Sequence, residues 1–264
     1  MRVFEFTTAI VREPGKSVVD GLRSNRAATT TYEGVLAEHR AYVDALAEAG
    51  LAVDILPPLE TFPDSVFVED TALTFPEGAI LLRPGAPTRQ AERDEVRGAL
   101  ARHFANVAEL GLGEYADGGD VLVTPATVFI GVSARTNRAG AEALVRHLKE
   151  FGRTARVVAT PASALHLKSA CALLGEATVI ATRALAASGV FEGFRVVETP
   201  QGEEGAANLV RFNRTVLLGE GFSRTAELIA KQGLNVRLLP VREVAKLDAG
   251  LSCMSLRWAK PPME

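Results

Sequence analysis

Hydrophobic and polar residues follow one another along this chain in a pattern that recurs four times. An apolar β-type run leads through a polar turn into a second apolar run, and a helical stretch follows. In the helical stretch of residues 32–49, Val35, Tyr42, Val43 and Leu46 fall on one face. The four paired runs span residues 68–82, 121–132, 170–181 and 209–218.

A further short apolar run completes each unit, so the pattern predicts a ββαβ-type unit. The chain begins with a strand that leads into a helix and ends with a strand that lacks one, so the two terminal half-units can complete each other. The sequence therefore predicts an α/β fold of five units closed in a ring, a fivefold pseudo-symmetric α/β propeller. The alternative is a doubly wound parallel sheet, which needs one helix per strand and fits the paired runs poorly. The closing runs are residues 51–57, 156–161, 195–200 and 235–240.

A closed ring gathers the first-strand ends of all units around its axis. Polar residues interrupt the apolar runs at corresponding places, and we expect them to form a central polar site. These residues are Asp70, Asp117, His166, Asn208 and Cys253.

Composition and charge restrict the class of partner. The 264 residues are 47% hydrophobic, and we expect one compact domain over residues 1–264. The 29 basic and 32 acidic residues are dispersed, which argues against nucleic acid and membrane lipid and favours a small molecule. No signal-peptide pattern and no run of 18 apolar residues occurs, so we expect a cytoplasmic protein.

Cysteine and histidine residues supply candidate chemistry. Two cysteines make no disulfide framework, and four dispersed histidines have no structural zinc spacing. Cys253 is expected at the axis end of a last strand-like segment, residues 247–258, where a nucleophile is favoured over a buried hydrophobe. Cys171 is expected in the core. His166 is either a half-buried histidine bonded to a backbone carbonyl or a catalytic group, and its position favours the second. The remaining histidines lie in charged helices and are expected to face solvent: His39, His103 and His147.

Acidic residues flank two of the axis ends. Asp64, Glu69 and Asp70 bracket the run SVFV, where they form either a solvated rim or a site for a guanidinium, whose planar donors suit carboxylates. The DGGD segment is by default a tight-turn signal. In a functional interpretation, Asp117 accepts the proton of His166 and fixes its tautomer.

Five segments in this order resemble one family of enzymes. FPDSVFVED, DGGDVL, SARTNRAG, LHLKSACALL and LDAGLSCMSLR are similar to segments of the dimethylarginine dimethylaminohydrolase family, guanidine-modifying enzymes with the pentein fold. The resemblance runs from about residue 15 onward. It implies a fivefold α/β propeller, in agreement with the repeat. The larger arginine and agmatine deiminases carry insertions that this chain lacks.

The resemblance also implies roles for individual residues. Cys253 would be the nucleophile, His166 the general acid and base, and Asp117 the residue that orients His166, although many members carry Glu there. Ser65 stands where relatives often have Cys. Acids would hold the substrate and surround the thiol, and arginines would lie near the amino-acid end of the substrate. A lid residue and a residue that offers its backbone carbonyl would complete the site. These substrate-binding residues are, in the same order, Asp64, Glu69 and Asp70, then Arg89 and Arg135, then Leu22 and Leu247.

The implied reaction is hydrolysis of asymmetric dimethylarginine or monomethylarginine to citrulline and an alkylamine, through a covalent thiouronium on Cys253. No metal or organic cofactor is expected, because the substrate supplies its own electrophile. Two alternatives stay open: another guanidine or ureido hydrolase of this fold, such as an arginine deiminase-like enzyme, and a non-catalytic pentein such as the ribosome anti-association factor. A homodimer is possible.

Overall fold

The computed structural model describes residues 3–260, and the ends of the predicted 1–264 domain lie outside that range. Its helices and strands alternate in the order that the repeat predicts. In chain order they are β1 (Thr8–Arg12), α1 (Tyr32–Glu48), β2 (Ala52–Leu56), β3 (Ala72–Phe75), β4 (Gly78–Leu81), α2 (Glu92–His103), β5 (Val107–Glu109), β6 (Val121–Val123), β7 (Val128–Val132), α3 (Arg138–Glu150), β8 (Ala155–Ala159), β9 (Cys171–Gly175), β10 (Thr178–Ala181), α4 (Arg183–Ala186), β11 (Arg195–Glu198), β12 (Val210–Phe212), β13 (Thr215–Gly219), α5 (Ser223–Ala230), β14 (Asn235–Leu239), α6 (Arg242–Ala245) and β15 (Leu256–Trp258).

The strands form five three-stranded sheets of one design. In each sheet the middle strand is antiparallel to the first and parallel to the third, and a helix connects the second to the third. β15 takes the first place in the fifth sheet beside β1, with Thr8 opposite Trp258 and Ile10 opposite Leu256. The prediction that the terminal half-units complete each other is confirmed, and the paired strands exclude the doubly wound alternative.

The helices begin and end where local signals place them. The Thr31 side chain accepts a hydrogen bond from the Gly34 amide at 3.2 Å at the start of α1, and Gly50, with φ +88°, follows its end. The Asn137 side chain caps α3 in the same way at 2.7 Å from the Gly140 amide. These caps fix the loops that lead from the axis to the outer helices.

Hydrophobic cores lie between sheets and helices, around the axis. One of them packs Leu73 and Ile80 of β3 and β4 against Leu144 and Leu148 of α3 in the next unit. Cys171 is buried in another, as predicted. The apolar side chains thus join neighbouring units to each other.

A single 3-10 turn precedes the first strand of every unit, and this corrects the prediction for Cys253. Only Leu256–Trp258 of the predicted run 247–258 is a strand, and Cys253 lies in the turn Leu251–Met254. Leu251 and Met254 are both buried at i, i+3 spacing, the period of a 3-10 helix. The other four turns are Val68–Thr71, Gly118–Asp120, Leu167–Ser169 and Glu204–Ala207.

The prediction that His39 faces solvent is wrong. His39 is 1% exposed on α1, and burial, with a smaller contribution from Arg40, lowers its pKa to about 4. The reason is helical spacing: His39 follows Val35 by four residues and shares the buried face of Tyr42 and Leu46. The other two are half-buried, His103 beside Asp54 and His147 beside Glu150.

None of the helices between residues 3 and 260 has the length and apolar character needed to cross a membrane.

Candidate active site

A cavity of about 220 Å³ opens at one end of the axis and collects most of the predicted site residues. It is lined by parts of two of the axial turns, by His166 just before a third, and by the segments 22–24 and 247–249. Asp117 and Glu69 are not among the residues that line it. The predicted residues that line it are Leu22, Asp64, Asp70, Arg89, Arg135, His166, Leu247 and Cys253.

Cys253 presents its thiol in a negatively charged environment. Burial raises its pKa to about 11, and the carboxylates of Glu69 and Asp70 add to the effect. The Asn208 amide donates to Sγ at 3.7 Å, and the Ser252 hydroxyl lies 3.9 Å from Sγ. The thiol is therefore protonated at neutral pH until another positive charge arrives.

His166 is held in its cationic form. Its Nε2 lies 2.9 Å from Asp117 Oδ2. Burial lowers the pKa of the imidazole, but Asp70, Asp117 and Asp120 outweigh burial and raise it to about 9. At neutral pH the ring carries a proton that it can donate.

Asp117 is completely buried, and both of its oxygens are used. Oδ1 accepts from the Gly85 amide at 2.7 Å while Oδ2 faces His166. Gly119, two residues on, needs to be glycine because a Cβ there would lie 2.7 Å from the His166 ring. The glycines of DGGD thus let this turn lie close to the His166 ring, so that Asp117 reaches His166.

Arg89 holds Asp70 in place. Its Nη1 lies 2.6 Å from Asp70 Oδ2, while Nε and Nη2 donate to Glu92. Burial raises the pKa of Asp70, but His166 and Arg89 outweigh it, so the pKa falls below its usual value. Each side-chain nitrogen of Arg89 already donates to an oxygen of the protein. Contact of Arg89 with the amino-acid end of a substrate stays a prediction.

Arg135 differs from Arg89 because its guanidinium has no hydrogen-bond or ion-pair partner within residues 3–260. Its backbone is held by the Ser133 hydroxyl, which accepts from the Arg135 amide at 3.0 Å. An unpaired cation at the wall of a cavity suits an anionic group of a ligand.

The loop of residues 22–24 is tied to two other segments at the cavity. Asp64 Oδ1 accepts from the Leu22 amide at 2.9 Å, and burial raises the pKa of Asp64. The Ser24 hydroxyl donates to the Asp248 carboxylate at 2.9 Å. Sequence reasoning named Leu22 but missed Ser24 and Asp248. Asp248 has φ +56°, and Asp is one of the residue types enriched in that conformation.

The Glu69 carboxylate is not among the groups that line this cavity, and its contact with a substrate stays a prediction. Glu69 Oε1 accepts from Lys168 Nζ at 2.6 Å and from Arg257 Nη2 at 2.9 Å, and Oε2 accepts from the Ser252 hydroxyl at 3.2 Å. Glu69 and Asp70 are consecutive in a 3-10 turn, so their side chains point to different sides. Glu69 acts on Cys253 through its charge.

Asp120 is a buried residue that sequence reasoning did not select, although it is the second acid of DGGD. Its Oδ2 accepts from the hydroxyls of Ser133 and Thr136 at 2.6 and 2.7 Å, and Oδ1 accepts from the Leu167 amide at 2.8 Å. The Thr136 hydroxyl in turn accepts from the Asp117 amide at 3.1 Å. One carboxylate thereby links the segments that carry Arg135, Asp117 and His166.

Donor atoms of Asp70, Asp117 and His166 lie within 4.8 Å of one another, close enough to surround a metal ion. Their present partners compete with such an ion, because Asp70 pairs with Arg89 and Asp117 pairs with His166.

Comparisons with known proteins agree on one family. The family model of eukaryotic N,N dimethylarginine dimethylhydrolase matches residues 18–188. The N(G),N(G)-dimethylarginine dimethylaminohydrolase of Pseudomonas aeruginosa is 36% identical over 254 residues, which cover 96% of this chain and 100% of that protein. The Streptomyces coelicolor protein of the same name is 36% identical over 94% of this chain and 96% of its own.

Solved structures agree as well. A Pseudomonas aeruginosa cysteine-to-serine variant of that enzyme, complexed with citrulline, superposes with a TM-score of 0.93 and covers 96% of this chain and 100% of that one. The N-terminal domain of a cyanobacterial arginine dihydrolase, 17% identical, has a TM-score of 0.86 over 97% of this chain and 99% of that one, a likeness of fold alone. Cys253 and His166 face one cavity of a pentein propeller, and the likeness extends over nearly the whole chain, so this protein belongs to the dimethylarginine dimethylaminohydrolase family.

Proposed function

We propose that this protein hydrolyses asymmetric dimethylarginine or monomethylarginine to citrulline and dimethylamine or methylamine. The observation that carries the proposal is that a thiol, an imidazolium and a buried carboxylate face one cavity of about 220 Å³: Cys253, His166 and Asp70. Family membership supports the same reaction, because relatives across nearly the whole chain carry that activity in their names.

The charges of the cavity suit a guanidino amino acid. Asp70 offers a carboxylate to the planar guanidinium, and the unpaired Arg135 offers donors to the α-carboxylate. Leu22 and Leu247 would cover the substrate from the two joined loops. The substrate would then lie with its guanidinium carbon toward Cys253.

The bound cation would activate the thiol. A guanidinium beside sulfur favours the thiolate, and the imidazolium of His166 adds to this effect. The thiolate attacks the guanidinium carbon to give a tetrahedral adduct. His166 donates its proton to the departing amine, the C–N bond breaks, and a covalent thiouronium remains. The neutral imidazole then takes a proton from water, which attacks the same carbon and releases citrulline and the thiol.

Product release from three substrates tests the proposal. Citrulline and amine would be measured with asymmetric dimethylarginine, arginine and agmatine, without added metal and with a chelator. We expect dimethylamine from the intact protein and none from Cys253→Ala. Cys171→Ala is the matched control, because burial raises the pKa of that thiol and it lies in the core. Turnover of arginine alone would instead favour the arginine deiminase-like alternative, and no turnover at all the binding protein.

Thiol reactivity tests the activation step separately. A neutral alkylating agent should react slowly with Cys253 in the free protein and faster when an unreactive guanidine fills the cavity. Equal rates in both states would contradict activation by the substrate.

Four properties of the whole protein complete the proposal: a single catalytic domain, a cytoplasmic location, no required metal or cofactor, and a homodimeric state. Light scattering after size-exclusion chromatography would test the homodimer. Product release in the presence of a chelator tests whether a metal is required.

A further inference from the structure

A second cavity, of about 380 Å³, opens on the side of the axial turns opposite to the candidate active site. We call it the rear cavity. Glu69 and Ser252 line it, whereas Cys253 lines the first cavity. The first strand of every unit contributes an apolar residue to its wall: Leu73, Val121, Leu173, Val210 and Leu256.

Positive charge exceeds negative charge in the rear cavity. Among the described residues, three cations line it, Lys168, Arg211 and Arg257, against two carboxylates, Glu5 and Glu69. Lys168 and Arg257 donate to the same oxygen of Glu69, so one carboxylate serves two half-buried cations. An incompletely neutralised cation in a low-dielectric site is costly, and an anion there would reduce that cost.

Lys168 has the donors to receive such an anion. Arg257 also donates to the carbonyls of Ser252 and Ser255, whereas the Lys168 ammonium donates only to Glu69 among the described residues. An ammonium has three N–H donors, so two of them are available.

We propose that the rear cavity binds a carboxylate with an unbranched apolar chain. Its head group accepts hydrogen bonds from Lys168, and its chain lies against the ring of apolar first-strand residues. Volumes of this size and apolar walls with a few convergent polar groups are typical of small-molecule sites.

Binding in the rear cavity reaches the candidate active site through Glu69. A head group that competes for Lys168 leaves more of the Glu69 charge facing Ser252 and the neighbouring Cys253. Because negative charge disfavours the thiolate, we expect the ligand to slow Cys253 alkylation without competing with citrulline.

The single tryptophan, Trp258, lines the rear cavity and reports binding without any turnover. Octanoate, kept below its micelle concentration, should change Trp258 fluorescence saturably in the full-length protein. Octan-1-ol should bind at least about tenfold more weakly, since a charge-assisted hydrogen bond contributes about 1.5–3 kcal/mol, and acetate should give no change. No saturable change, or equal affinity for octanoate and octan-1-ol, would overturn the proposal.

Three variants locate the site. Lys168→Met keeps the aliphatic stem and should weaken octanoate about tenfold or more. Val123→Phe narrows the cavity without removing a charge, and it should abolish octanoate binding while product release is unchanged. Cys253→Ala should bind octanoate as the intact protein does. Unchanged binding by both rear-cavity variants, or displacement of octanoate by citrulline, would refute the site and leave the proposed hydrolysis untouched.

Discussion

At the scale of single residues, charge decides the reactive state of this site. Cys253 holds its proton to about pH 11 and His166 to about pH 9, so the resting pair is thiol and imidazolium. In the proposed reaction the pair that reacts is thiolate and imidazolium, which has one proton fewer than the resting pair. Burial is the largest cause of the high pKa of Cys253, and Asp70, which the proposal assigns to the guanidinium, adds to it.

The pH dependence of kcat/KM follows from these two pKa values. Below about pH 9 it should rise with pH, because a proton must leave the resting pair. Between about 9 and 11 it should be flat, since loss of the His166 proton cancels the gain in thiolate, and above about 11 it should fall. Initial rates of citrulline release with methylarginine at limiting concentration would check this. A maximum at neutral pH would contradict the assignment of the reactive pair.

Asp120 is expected to position Asp117, Arg135 and His166. Asp120→Asn leaves one oxygen for the Leu167 amide and turns an NH2 toward hydroxyls that already accept other bonds. We expect kcat/KM to fall on the order of tenfold to hundredfold. The rise of kcat/KM with pH should level off below about pH 9, because a charge that raises the pKa of His166 is lost. Asp94→Asn, at an exposed carboxylate, is the control and should change neither. If Asp120→Asn changed the stability of the protein but left the pH dependence of kcat/KM unchanged, the role of Asp120 would be structural only.

At the scale of elements, the 3-10 turns place the chemistry. Two of the turns direct neighbouring side chains to opposite sides: Glu69 and Ser252 line the rear cavity, whereas Asp70 and Cys253 line the candidate active site. Glycine permits the close approach of one turn to the next at DGGD. The site is therefore assembled from turn ends, and the strands act as supports.

Gly119→Ala tests this arrangement. The new Cβ would lie 2.7 Å from the His166 ring and 3.1 Å from Asp70 Oδ1, so the ring must move away from Asp117. We expect product release to fall on the order of a hundredfold while far-UV circular dichroism is unchanged. Gly98→Ala in α2 is the matched control, because nothing lies within 4 Å of its Cβ; activity should stay and stability rise by about 0.5–1 kcal/mol. Full activity in Gly119→Ala would show that the His166 position is not critical.

At the scale of the whole molecule, the fold depends on closure of the ring. β15 pairs with β1 and β1 with β2, so the fifth sheet joins the two ends of the described chain. Trp258 packs against Phe104 with ring centroids 4.8 Å apart, which links the fifth sheet to the unit of α2. Because the cores lie between neighbouring units, each sheet stabilises the next.

Deleting residues 256–264 removes β15 and leaves β1 without its antiparallel partner. We expect loss of cooperative urea unfolding for the whole protein, since the core that contains Leu256 and Trp258 loses both side chains. Trp258→Phe, which keeps β15, should unfold in a single transition at a lower midpoint. An unchanged cooperative transition in the shortened chain would show that closure is dispensable.

Much of this organisation was predictable because it follows from the local periodicity of hydrophobic residues. The repeat of paired runs predicts the five units, and His166, Asp70 and Cys253 recur at one place within them. His39 shows the limit: charged neighbours in sequence hid a position that the helical period places on the buried face.

The sequence by itself determined the ring of five ββαβ units and the residue types that meet at its axis, because both depend on hydrophobic period and on repeat position. Only the tertiary structure decided that Glu69 faces away from the cavity, that Asp120 joins three segments, and that Asp248 ties down the loop of Ser24. These contacts join residues from about 13 to more than 200 positions apart, and side-chain direction within a turn has no period that a sequence can display.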